Sequence, residues 1–145
     1  MCLYMKTNTP IVAEKSVKCY KILSAHDDGE LYTPFQGCRI ELGTTITAYG
    51  YKDVDYLFPL NPATSKGYKY GVYEGFIHTF ADLKAAEVFL DEWSEDYWLY
   101  KPVIVECTIP KGTTYYEGVF EATYLPCYAS DKLKYGKKII KTKKD

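Results

Sequence analysis

Residues 103–133 read VIVECTIPKGTTYYEGVFEATYLPCYASDKL. The first seven alternate Val103, Val105, Cys107 and Ile109 against Ile104, Glu106 and Thr108, the period-two pattern of a β-strand. Pro110-Lys111-Gly112 ends that strand, because Pro has no N–H for a ladder and Gly supplies turn freedom. A second run rich in Thr, Tyr, Val and Phe follows at once. The stretch therefore predicts two strands joined by a hairpin or a sharp corner, and the rest of the chain is read around it.

Upstream, Val17–Leu23 alternates well and predicts a first strand. Ala25 to Glu30 carries Asp27-Asp28-Gly29, whose side-chain acceptors and positive φ suit a tight turn. Cys38–Leu42 and Thr44–Tyr49 predict two short strands around Gly43, or one strand bulged there. Residues 50–69, with Pro59, Pro62 and Gly67, predict a long ordered loop. Gly71–His78 predicts another strand. It leads into one helix over about 80–96, with Thr79 as N-cap and Asp82 completing a capping box. Leu83, Ala86, Leu90, Trp93 and Tyr97 recur at helical spacing and predict the face turned to the sheet. A last strand is expected near Lys134–Ile140, with residues 1–15 and 141–145 loosely ordered. The whole predicts a single α+β domain over 1–145, mainly antiparallel sheet with one principal helix packed on one face.

Composition narrows the partners. The 145 residues are 47% hydrophobic, enough for a core, and carry a net charge of −1, which offers no overall field for nucleic acid. Of 18 basic residues only Arg39 is arginine, so bidentate phosphate or base-edge reading is poorly supplied. An AT-rich genome is the plainer reason for that bias. Seven lysines between Lys132 and Lys144 are expected as a solvated end, a phosphate contact being the alternative. No apolar run reaches the roughly 20 residues of a bilayer span, and the N-terminus lacks a signal-peptide succession. A cytoplasmic protein is expected. Cys2, Cys19, Cys38, Cys107 and Cys127 form no CxxC pair, so most of them are read as buried thiols and no metal is expected. Sixteen tyrosines suit either half-buried sheet positions or a contact surface.

The chemistry-bearing residues are sparse. His26 beside Asp27 is read as an exposed turn histidine, since sequence neighbours rarely face each other as a base pair. His78 lies where a helix start would push it towards the neutral form. No P-loop, nucleophile elbow, G-x-G-x-x-G or H-E-x-x-H is present. Pro110-Lys111-Gly112-Thr113 is too short to cradle a phosphate and is read as a structural corner. Asp91, Glu92, Glu95 and Asp96 crowd the helix end, where the dipole disfavours them. They are read as a solvated cap or a docking surface. With Tyr56, Tyr68 and Tyr70 they are the candidate partner-binding residues.

The run E-C-T-I-P-K-G-T-T-Y-Y-E-G (106–118), followed by Y-A-S-D-K-L (128–133), resembles a pattern found in small phage and prophage proteins of unassigned chemistry. Y-K-I-L (20–23), G-F-I-H-T-F (75–80) and the paired Ala85 and Ala86 match it too. The resemblance covers the chain apart from residues 50–69 and the two ends. It implies a small phage-type accessory protein that binds a host protein. A second similarity, a strand followed by I-P-K-G-T and another strand, is to ADP-ribosyltransferases, which hold NAD in a cleft and use a glutamate. It implies NAD as cofactor, Tyr20 or Lys21 at the first-strand position, His78 nearby, and Glu106, Glu117 or Glu121 as the acid. The first-strand Arg or His, the Ser-Thr-Ser run and the Glu-x-Glu pair of those enzymes are missing here. Catalysis is accordingly the alternative expectation, and binding the first.

Overall fold

The computed structural model describes residues 3–33, 37–48, 57–72, 76–93, 101–120 and 123–142. The strands are β1 (Leu3–Met5), β2 (Ile11–Val12), β3 (Val17–Ala25), β4 (Leu31–Tyr32), β5 (Arg39–Ile40), β6 (Thr45–Thr47), β7 (Leu57–Pro59), β8 (Tyr70–Val72) and β9 (Ile77–Phe80). After helix α1 (Leu83–Trp93) come β10 (Pro102–Ile109), β11 (Thr114–Phe120), β12 (Pro126–Ser130) and β13 (Lys132–Thr142). All described pairings are antiparallel, in the order β6-β13-β10-β3-β9-β12-β11-β1-β8-β7, with β2 on β11 and β4 and β5 beyond β3. The described chain is thus mostly antiparallel sheet with one helix, compatible with α+β but dominated by strand. No described helix is long and apolar enough to cross a membrane.

Alternation in β3 and β10 sends side chains to two cores. Ile22, Ile104, Phe80 and Phe120 gather with Ala85, Ala86, Phe89 and Leu90 of α1. Phe89 meets Phe80 and Phe120 at ring distances of 5.2 and 5.5 Å. The opposite face collects Cys19, Leu23, Val103, Val105, Cys107, Leu133 and Tyr135, closed over by Ala13, Leu31 and Ile40. Burying both faces of β3 and β10 makes them the centre of the molecule. Each buried aliphatic side chain there contributes roughly 1.5–3 kcal/mol.

Several expectations change. Where a loose lead-in was expected, β1 inserts between β11 and β8, with Leu3 and Met5 buried. Residues 3–5 are too few for a period to register, yet two neighbouring strands satisfy their backbone. Thr79 does not cap the helix: it is a buried strand residue paired with Tyr128. Asp82 is the cap, its Oδ1 accepting the Ala85 N–H at 2.7 Å, so α1 starts at Leu83. That start leaves Leu83 at the exposed rim while Ala85, Ala86, Phe89 and Leu90 turn inward. Residues 94–97 lie outside the described residues, and with them the end expected for the helix and Tyr97. The strand expected over 71–78 is two strands, β8 against β1 and β9 against β12, since alternation does not reveal that consecutive halves have different partners. Residues 57–59 of the expected loop form β7. The last strand runs on to Thr142, and Lys141 binds Glu87 of α1 at 2.8 Å.

Candidate functional site

The Pro110–Thr113 corner joins β10 to β11, which pair with different strands, so it crosses the sheet rather than closing a hairpin. Gly112 takes φ +85°, and its N–H donates to Ala13 O at 2.8 Å. The Thr113 N–H donates to Pro110 O, and Ala13 N–H returns to Thr113 O. Beside it, Lys111, Thr114, Asp131 and Lys132 help to line a shallow concavity of about 180 Å³. Two of the turn's amides are spent within the fold and a carboxylate stands in the lining, which leaves a poor phosphate cradle.

The residues named by the transferase similarity divide between the two faces. Tyr20 pairs in register with both Glu106 and Phe80, placing Tyr20 and Glu106 on the helix-side face. Glu106 is half-exposed and lies 3.7 Å from Lys18 Nζ. His78 shares the parity of Phe80 and is buried on that face. Lys21 points to the opposite face with Cys19 and Leu23, and Glu117 alternates to that side of β11, where it is exposed. Glu121 lies outside the described residues.

Lys21 sits where the sheet nearly splits. β3 and β9 share one registered pair, Tyr20↔Phe80. Just beyond it, Lys21 Nζ donates to His78 O at 2.8 Å. The side chain keeps some surface along its length, but its ammonium is surrounded by protein. Burial pushes its pKa down to about 8, while the nearby sulfurs of Cys107 and Cys19 pull the other way. Cys19 and Cys107 face each other across β3 and β10, and burial pushes both thiols up to about 12. Thiols so protonated are poor nucleophiles. His26 stacks at a tilt on Tyr32, 4.3 Å between ring centres, in an exposed turn closed by Asp28 Oδ1.

Of the partner-binding candidates, Asp91 and Glu92 are exposed on the last described turns of α1, and Tyr70 packs partly against the helix-side core. Tyr56, Glu95 and Asp96 lie outside the described residues. Tyr68 belongs to a larger cluster. The Tyr68 and Tyr124 rings stack at 5.8 Å and 30°. Lys66 Nζ stands 4.5 Å over Tyr124, and Lys6 Nζ stands 5.5 Å over Tyr68. Three remote segments build it: the residue after β1, the loop between β7 and β8, and the turn between β11 and β12.

The 60–69 loop is ordered by its own polar groups. Asn61 Oδ1 accepts the Ala63 N–H, and Asn61 O accepts those of Thr64 and Ser65. Buried Ser65 Oγ lies 2.7 Å from Asn61 O and 2.5 Å from Tyr68 O. Leu60 N–H donates to Lys69 O, closing the loop, and Lys69 N–H donates to Met5 O, tying it to β1. Within this frame Lys66 takes φ 53° and Tyr124 takes φ 56°, the two non-glycine residues in the left-handed region among those described. Each such residue costs roughly 1–2 kcal/mol, whereas an exposed cation–π contact returns about 0.5–1 kcal/mol. The Lys66–Tyr124 contact therefore does not offset the strain of its own partners; the loop and turn hydrogen bonds hold it. Sequence reasoning reached Tyr68 but missed Lys6, Lys66 and Tyr124, because no motif links positions brought together only by β1, β8 and β11.

No protein-family model, curated protein or solved structure matches the chain.

Proposed function

We propose that this protein acts by binding a protein partner, and that Tyr68 and Tyr124 with Lys6 and Lys66 are its contact surface. The observation that carries this reading is the meeting of the two strained non-glycine residues in one aromatic contact at the surface. Strain of this kind persists where surrounding structure enforces a presentation, and it concentrates at functional sites. Stacked tyrosines offer amphipathic edges and hydroxyls with little entropy to lose on binding. The phage-protein resemblance makes the partner a host protein and the chain an accessory factor that interferes with a host pathway. A benzophenone amino acid in place of Tyr68 tests it: irradiation in bacterial lysate should give a cross-link to one host protein. The same group at exposed Val12, at the other end of β11 from Tyr124, should not. Equal cross-linking at both positions would contradict the surface.

A transferase reading has one observation in its favour, the shared face of Tyr20 and Glu106. It requires nicotinamide release from NAD that is lost in Glu106→Gln. No release from the unaltered protein sinks it.

A further inference from the structure

Resting on the binding reading above, we infer that the Lys6–Tyr68–Tyr124–Lys66 cluster takes a carboxylate-bearing segment of its protein partner, an Asp- or Glu-rich stretch held between the two ammoniums. The charges argue first. Among the described residues, four other cations hold carboxylates: Arg39 with Glu30 at 2.8 Å, Lys141 with Glu87 at 2.8 Å, Lys18 with Glu106 and Lys101 with Asp27, each at 3.7 Å. Among the described residues, no carboxylate forms an ion pair with Lys6 or Lys66. Instead each stands over a ring whose face attracts it, with no carboxylate partner among the described residues. Lys69 adds a further exposed lysine to the same loop.

The chemistry of the rings separates this ligand from nucleic acid. Single-strand binders present free aromatic faces on which bases stack. Here the tyrosines stack on each other and an ammonium stands over each ring, so little face is left and the edges and hydroxyls remain. Phosphate recognition favours the planar fork of arginine, and the one arginine of the chain is bound to Glu30. Two point-charge ammoniums flanking phenol edges suit carboxylates, which accept from lysine and from the tyrosine hydroxyls alike.

The test is fluorescence anisotropy at low ionic strength with a short labelled Glu-rich peptide, its Gln counterpart and labelled oligo-dT of matched length. The expected result is binding of the Glu peptide that weakens with salt and falls roughly three- to tenfold in the K6Q/K66Q double variant. The Gln peptide should bind more weakly than the Glu peptide. Equal binding of the two peptides, tighter binding of oligo-dT, or no binding of the Glu peptide overturns the inference. The contact surface is judged separately, by capture of the partner from lysate. Capture that survives K6Q/K66Q but fails in Y68A/Y124A removes the carboxylate clamp and keeps the surface. Capture that survives both double variants removes the surface itself.

Discussion

The ammonium of Lys21 occupies the place where the β3–β9 pairing narrows to a single registered pair, and it gives the His78 carbonyl a donor there. Its burial sets a pH dependence. In the unfolded chain the amine titrates near 10.5, and in the folded chain at about 8. Between these values the folded chain binds fewer protons, so this group's contribution to stability rises with pH from about 8 to about 10.5. Cys19 and Cys107 run the opposite way. Their pKa rises from 9.0 to about 12, so their contribution is full below pH 9 and is lost as pH climbs towards 12. Lys21→Met keeps the stem and both thiols, so the thiol effects cancel in a comparison. The stability difference should shift in the wild type's favour by about 1–3 kcal/mol between pH 8 and 10.5, read by urea denaturation at several pH values. A difference that stays flat across that range contradicts the placement of the amine. None of this was legible in the sequence, where Lys21 is one more polar residue in an alternating strand.

At the scale of elements, β10 was legible because the seven residues 103–109 alternate and Pro110 stops them. The helix was legible in kind but not in its start. Thr79 and Asp82 both have the side chain of a cap, and only the pairing of β9 with β12 decides between them by holding Thr79 in a strand. Asp82→Ala should therefore cost about 1 kcal/mol in thermal or urea unfolding, and Thr79→Val should not behave as the loss of a cap. The N-terminal strand was illegible for want of length. Its seat depends on close approach: a Cβ at Gly118 would stand 2.3 Å from the Tyr4 carbonyl oxygen. Gly118→Ala should destabilise by more than about 2 kcal/mol and strip hydrogen-exchange protection from Leu3–Met5 before the β3–β10 pair. Unchanged protection of β1 would show that it does not lie where described. The described 60–69 part of the expected loop was legible as ordered, since Pro59, Pro62 and Gly67 announce turn chemistry, although what it presents depends on β1 and the β11–β12 turn.

For the molecule as a whole, the sheet assembles one surface from positions 6, 66, 68 and 124. That is why the sequence suggested tyrosine-rich contacts in general and could locate only Tyr68 of this cluster. The binding function proposed above rests on the aromatic–lysine surface, whereas the transferase similarity leaves its described candidate residues on two faces. The most direct test of the central claim is affinity capture from bacterial lysate with the unaltered protein, the Y68A/Y124A variant and a variant altered at exposed Ile139 on β13, each checked for folding by circular dichroism. The account predicts that one host protein is enriched by the unaltered chain and by the Ile139→Ala variant, and is lost with Y68A/Y124A. The same protein recovered in equal yield by all three would contradict it.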